Sequence, residues 1–189
     1  MARPRKFDKD EALAQAVELF WRHGYGATTY RLIESETGIG LRSLHNTFGE
    51  KDALFLRVLR LYHERAKGVL GQVFDPPSTV AVERLLMAMT EPTDPGDVAN
   101  AGCLMVATVF EVGAPPEAIA QEIAAYRETF RAAFRAALEA DAVPEAEARA
   151  EFLLGALWGL LGQIRVARST AAARPMAEVL VQTVRSWTP

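Results

Sequence analysis

The 189-residue chain reads as all-α: an N-terminal three-helix helix-turn-helix unit, then a larger helical unit, about nine helices in total. Three observations predict this. Apolar residues recur at i, i+3, i+4 and i+7 through most of the chain. Gly and Pro clusters punctuate those runs. No segment shows the strict alternation of a half-buried strand.

The first helix is expected over about 9–23, with Leu13, Ala16, Val17 and Phe20 on one face. Asp8 and Glu11 read as a capping box, and His23-Gly24 as a stop. Thr28 and Thr29 offer the next N-cap, for a short helix to Thr37, and Gly38-Ile39-Gly40 breaks it. A third helix runs from Leu41 to Phe48 and ends at Gly49. Lys51 opens a long fourth helix, which Asp75-Pro76-Pro77 stops near Phe74. Ser78 caps a fifth, with Val82, Leu85, Leu86 and Met89 inward. Residues 91–101 read as a loop and Cys103 to Val112 as a short apolar helix. After Gly113-Ala114-Pro115-Pro116 comes a helix with Ile119, Ile123, Tyr126, Phe130 and Phe134 on one face. Pro144 precedes a helix over about 145–168, and Pro175 opens the last, to about Trp187.

Composition narrows the function classes. Hydrophobic residues make up 50% and charged residues 24%, which excludes intrinsic disorder. The longest run without a polar or charged side chain is 152–162, shorter than the roughly 18 residues of a membrane span. Met1-Ala2-Arg3-Pro4-Arg5-Lys6 has no apolar segment behind it, so no signal peptide is expected. The expectation is a cytoplasmic protein with no membrane partner. Cys103 is the single cysteine, which excludes an internal disulfide framework and a multi-thiolate zinc site. Residues 1–67 carry 12 basic and 9 acidic residues, a charge of +3, whereas the remainder carries −6. A basic first third on an acidic protein points to an anionic partner for that third.

Two short helices joined by a Gly-containing turn suggest helix-turn-helix. Leu32, Ile33, Ile39, Leu44 and Phe48 can share a small core with the first helix. The third helix then keeps Arg42, Ser43, His45, Asn46 and Thr47 outward, the short polar and amide types that reach base edges. Thr28, Thr29, His45 and Lys51 are placed to anchor phosphates. A polar-surfaced helical hairpin with no DNA role shares the same spacing.

At this point the chain resembles a known family. Ala16-Val17-Glu18-Leu19-Phe20, His23-Gly24-Tyr25, Ala27-Thr28-Thr29, Ile33, Thr37-Gly38-Ile39, Ser43-Leu44, Phe48 and Lys51-Asp52-Ala53-Leu54-Phe55 occur in order over residues 7–62. This segment resembles the DNA-binding domain of the TetR family of bacterial transcriptional regulators, and Arg3-Pro4-Arg5-Lys6 resembles its basic arm. The chain departs from the family pattern at Gly40, where Ser or Thr usually caps the recognition helix, and at Leu41, where Lys or Arg is frequent. It departs again at His45, which replaces a phosphate-binding Tyr, and at Asn46-Thr47, which replaces a pair often containing His. The resemblance implies a DNA-binding domain over 1–50 and a ligand-binding and dimerisation domain over 51–189. It further implies a homodimer on a pseudo-palindromic double-stranded DNA operator, acting as a repressor released by a small effector.

In the family, the last two helices of each protomer build the dimer interface. Here Gly155, Gly159 and Gly162 lie along one side of a helix that is apolar nearly all round. Interior glycines cost about 1 kcal/mol each relative to Ala, which favours a close approach of another backbone. Val179 and Leu180 give the last helix a matching face. The resemblance also implies an effector cavity, for which Tyr62, Met87, Cys103, Met105, Val106, Phe110, Tyr126, Phe130 and Trp158 are the candidates. Few are polar, so an apolar or electrophilic effector is expected. Gly102-Cys103-Leu104-Met105-Val106 resembles a stretch of family members that respond to electrophiles or oxidants, and a thiol in a first helical turn favours thiolate.

An enzyme is not expected. His23 reads as a helix C-cap and His63 as a surface residue, and the three histidines form no metal pattern. No Glu-x-x-His, His-Glu-x-x-His, Gly-x-Ser-x-Gly or phosphate-loop sequence occurs, and no cofactor is expected. The alternative is a helical small-molecule-binding or interaction protein without DNA-binding function.

Overall fold

The structure, a computed structural model, describes residues 7–188. The basic arm expected at residues 3–6 lies outside the described residues. Within them there are helices and turns and no strand.

The first helix, α1 (Lys9–Ala27), starts at Asp8, whose carboxylate accepts from the amides of Asp10 and Glu11. It breaks at Gly24, where φ is 84°. A side chain there would collide with the Glu111 carboxylate, so both backbone angle and space demand glycine. The expected stop at His23-Gly24 is thus a break, followed by one more turn. Helix α2 (Tyr30–Thr37) is capped by the Thr29 hydroxyl and ends on left-handed Gly38. Helix α3 (Leu41–Phe48) starts at Gly40 without a cap from its own side. Glu34 of α2 supplies it, its Oε1 accepting from the Leu41 amide at 3.0 Å.

Helix α4 (Lys51–Val73) leads to α5 (Thr79–Ala88), which is capped by Ser78. The expected loop over 91–101 contains a 3-10 turn, Val98–Ala101, nucleated by Asp97. Cys103 is the N-cap of α6 (Leu104–Val112) rather than its first residue. Helix α7 (Glu117–Ala140) is followed by α8 (Ala146–Ala167) and, after a 3-10 turn at Thr170–Ala173, by α9 (Arg174–Arg185).

One apolar interior runs from α1 to α9. Helix α1 packs on both α4 and α6, α7 lies along α4 and α8, and α5 lies along α9. Phe20 of α1 meets Phe55 of α4 with ring centroids 4.8 Å apart. Burying one such ring stabilises by about 1.5–3 kcal/mol, and it joins the first three helices to the rest. Gly102, at φ 71°, lets the turn before α6 press against the backbone of α8.

One expectation needs correction. His63 is not a surface residue: it is buried between α4 and α7, its Nδ1 2.7 Å from Glu122 Oε1 and its Nε2 2.8 Å from Thr129 Oγ1. Its position on the α4 face toward α7 outweighs its polarity, because both ring nitrogens find partners. Within the protomer, α8 is buried along one side. It is long and apolar enough to cross a membrane by length and composition, with 39% of its most apolar window buried. Leu153, Leu157, Leu160 and Ile164 face inward, while Phe152, Gly155, Gly159 and Val166 stay outward.

Candidate functional site

Helix α3 holds its inner face with Leu44 and Phe48, both buried. Arg42, His45 and Asn46 are exposed on the other side, and Ser43 and Thr47 are half-buried beside them. The structure therefore brings the five residues singled out on this helix onto one short element. His45 is stacked on Tyr30 of α2, with ring centroids 4.2 Å apart, and the Tyr30 hydroxyl donates to the Gly49 carbonyl at 2.8 Å. That stack sets the direction of the imidazole.

The flanking anchors divide. Thr29 is exposed and caps α2. Thr28 is fully buried, and its hydroxyl donates to the carbonyls of Gly24, at 2.7 Å, and Leu19, at 3.3 Å. It closes the broken end of α1 and cannot serve as a phosphate anchor. The Lys51 ammonium lies 4.2 Å over the Tyr25 ring and donates to the Gly26 carbonyl at 3.4 Å, so it points inward. Burial lowers its pKa, with Glu111 and then Asp52 opposing. The Tyr25 hydroxyl in turn donates to Asp52, and burial and then that carboxylate push its pKa up to about 12. Glu111 at the end of α6 accepts from the backbone amides of Tyr25 (3.0 Å) and Gly26 (2.6 Å). The end of α6 is thereby tied to the broken end of α1.

A cavity of about 280 Å³ opens between α1, α4, α5 and α7. Tyr62, Tyr126 and Phe130 line it as expected, with Trp21, Arg65 and Val69 among the residues that sequence reasoning missed. Leu85 and Met89 of α5, expected only as inward residues, line it too. Their signal was present as spacing: Tyr62, Ala66, Val69 and Leu70 form one stripe of α4. Trp21 could not be found that way, because it sits on a helix assigned to the DNA-binding unit. Its indole N–H donates to the Gly102 carbonyl at 2.6 Å.

Other candidates fall elsewhere. Met105 is fully buried core, Met87 is half-buried off the cavity wall, and Val106 and Phe110 border a separate surface groove. Phe110 is 80% exposed because its helical register turns it away from α1 and α4. Trp158 is half-buried, with the Arg127 guanidinium 5.3 Å from its ring centre. Cys103 is buried behind the cavity, its Sγ 3.5 Å from the Tyr126 hydroxyl. Burial, followed by the neighbouring thiol, holds the pKa values of Tyr62 and Tyr126 well above the ordinary tyrosine value.

The outward side of α8 carries the three glycines. A Cβ added at Gly155 or Gly162 would meet nothing within 4 Å, and one at Gly159 would touch Met176. Val179 of α9 is 61% exposed nearby, whereas Leu180 is 5% exposed and points into the protomer's own core. Adjacent positions on a helix diverge by about 100°, so the two cannot share a face.

The sequence profile described as "Bacterial regulatory proteins, tetR family" matches residues 12–58. The HTH-type transcriptional repressor ComR of Escherichia coli (strain K12) is 43% identical over 63 residues, 33% of this chain and 30% of ComR. The HTH-type transcriptional regulator YezE of Bacillus subtilis (strain 168) is 32% identical over 80 residues, 42% of this chain and 41% of YezE. The chain thus matches well under half the length of either relative. Beyond that segment, the TetR family transcriptional regulator CifR, solved as a cysteine mutant with 26bp double-strand operator DNA, is 27% identical. It aligns over 98% of this chain and 100% of its own, with a TM-score of 0.79.

Residues 12–58 thus match the DNA-binding domain of the TetR family, and the chain shares the fold of a TetR family regulator along its length. Against that family's pattern, the missing hydroxyl cap at position 40 is made good by Glu34, whose carboxylate also suits the positive end of α3. The usual tyrosine at position 45 has its aromatic plane restored from the other direction, by Tyr30 under His45. Neither compensation was legible from the segment's spacing, because both partners sit on α2.

Proposed function

We propose that this chain is a cytoplasmic DNA-binding transcriptional regulator and not an enzyme, acting as a homodimeric repressor on a pseudo-palindromic operator. One observation carries the reading. An eight-residue helix, packed through Leu44 and Phe48, leaves Arg42, His45 and Asn46 exposed at a single face. A helix of that size fits the major groove, and those side chains suit base-edge and phosphate contacts. The CifR structure, similar over its whole length and bound to operator DNA, supports it. Residues 1–50 serve the DNA, with Thr29, Arg42, Ser43, His45, Asn46 and Thr47 at the contact. Residues 51–189 serve dimerisation and the effector.

The dimer reading rests on the apolar outward side of α8 and α9, with Gly155, Gly159, Gly162 and Val179 at its centre. The effector reading rests on the cavity between α1, α4, α5 and α7, whose aromatic wall suits a small apolar compound. An electrophilic effector would have to pass Tyr126 to meet the Cys103 thiol.

The test is a mobility-shift titration with DNA from the protein's own upstream region, against unrelated DNA, at several salt concentrations. A regulator binds the upstream DNA tighter by about 10³-fold or more, with steep salt dependence. Equal, weak binding to both would leave the helical interaction protein as the reading.

A further inference from the structure

The cavity's lining is apolar with one charged exception. Its inner wall is Trp21, Leu85, Tyr126 and Phe130, and its mouth on α4 is formed by Arg65 and the half-exposed Val69. Arg65 has no carboxylate within 4 Å among the described residues. Its neighbours on α4 differ in this respect: Arg60 faces Glu122 at 3.6 Å, and Lys67 pairs with Glu64 at 2.7 Å. A guanidinium without a counter-charge at the rim of an aromatic pocket is a ready partner for an anionic head. Inside, the phenols of Tyr62 and Tyr126 stay protonated through burial, so they can donate to an acceptor but repel no anion.

Size narrows the choice. A volume of about 280 Å³ is worth about nine water molecules of liquid at roughly 30 Å³ each. That accommodates one ring with a short tail. The wall is made of rings that already pair with one another, Tyr126 with Phe130 at 4.9 Å and Trp21 edge-on to Tyr62 at 4.9 Å. A flat aromatic body joins such tilted and edge-on ring pairs better than a saturated one.

We infer that the effector is a small aromatic carboxylate whose ring lies against Trp21, Tyr126 and Phe130 and whose carboxylate is held by Arg65. This rests on the effector reading given above and names its chemical class. The recognition is direct to the DNA-binding unit: Trp21 belongs to α1, which packs on α2, so a bound ring touches a helix of that unit.

The experiment compares 3-phenylpropionate with its neutral amide, by calorimetry on the full-length protein and on the Arg65→Gln variant. Arg65 is exposed, so the substitution should not disturb folding. The expected result is that the acid binds the wild type about tenfold tighter than the amide, the advantage of one solvent-shared charged hydrogen bond. Arg65→Gln should abolish that preference while amide affinity stays the same. Acid and amide binding the wild type equally would overturn the carboxylate assignment and leave the cavity as an effector site. Loss of preference absent in Arg65→Gln would equally overturn the role of Arg65. If neither compound bound, both the aromatic class and the effector reading of this cavity would fall, whatever the operator titration showed.

Discussion

Two outward helix faces, on α3 and on α8, are both left uncovered by the protomer, and they differ in chemistry. On α3 the exposed groups are a guanidinium, an imidazole and an amide, which water solvates at no cost. On α8 and α9 they are Phe152 at 50% exposure, Val166 at 88% and Val179 at 61%, with bare glycine backbone between. Apolar area left in water forgoes about 25 cal/mol per Å². The α8 face therefore calls for a partner on energetic grounds alone, whereas the α3 face can stand in solvent indefinitely and waits for a polyanion. On the proposed function, the α8 surface serves assembly and the α3 surface serves recognition.

The comparison is broken most directly at α8. Replacing Gly155 and Gly162 by Arg introduces side chains whose Cβ atoms meet nothing within the protomer. Each change also raises helix propensity by about 1 kcal/mol, so the protomer should fold. Sedimentation should show monomers, and operator affinity should fall by about 10²–10⁴, the avidity of two half-sites. A variant that sediments as a dimer would move the interface to another face.

Substitutions on α3 sharpen the other half. Arg42→Ala and Asn46→Ala should each cost about 1–3 kcal/mol at one or two base pairs and relax preference there, with dimerisation intact. Lys51→Ala is the control. Its ammonium is spent on Tyr25 and Gly26, so the salt dependence of DNA binding should keep the wild-type slope. A slope reduced by about one unit would mean that the ammonium leaves Tyr25 for a phosphate.

How much of this was readable beforehand depends on how far each partner lies along the chain. The helices were legible because period, caps and breakers are local: Asp8, Gly38, Gly49 and Ser78 act where their spacing places them. The polar face of α3 was legible for the same reason. What escaped was every contact between distant segments. Glu111 reaches the amides of residues 25 and 26, Trp21 walls a cavity built by later helices, and His63 finds Glu122 and Thr129 across α7. Thr28 shows the limit within one segment. Its place before a helix suits a cap, yet the Gly24 break turns its hydroxyl inward.

A smaller effect tests the joint between the two regions. The Tyr25 phenol is raised to about 12, first by burial and then by Asp52, so the fold favours its protonated form. The resulting stability is complete below the unfolded value near 10 and is lost as pH rises through about 12. Thermal unfolding of Tyr25→Phe should show a smaller alkaline loss than the wild type, the remainder coming from Tyr62 and Tyr126, whereas the Gly155/Gly162 variant should retain the full loss. An identical alkaline profile for Tyr25→Phe and wild type would place the titrating group elsewhere.

The smallest change is expected at Cys103. Its thiol is 2% exposed and sits behind Tyr126, inside the wall that the cavity shares with α6. Reaction of the thiol needs access, and here access requires the wall to open. Alkylation by iodoacetamide should therefore run at a small fraction of the rate seen in denaturant and should slow further when the cavity is filled. Cys103→Ser keeps a group of similar size with a hydroxyl that can face Tyr126, so its cost to stability should be about 1 kcal/mol and operator affinity should be unchanged. With no second cysteine in the chain, sensing through this residue would have to proceed by adduct or oxidation of this one sulfur. Rapid labelling of the native protein, coupled to release of the operator and absent in Cys103→Ser, would reverse the assignment and make the thiol, rather than the cavity in front of it, the point at which the effector acts.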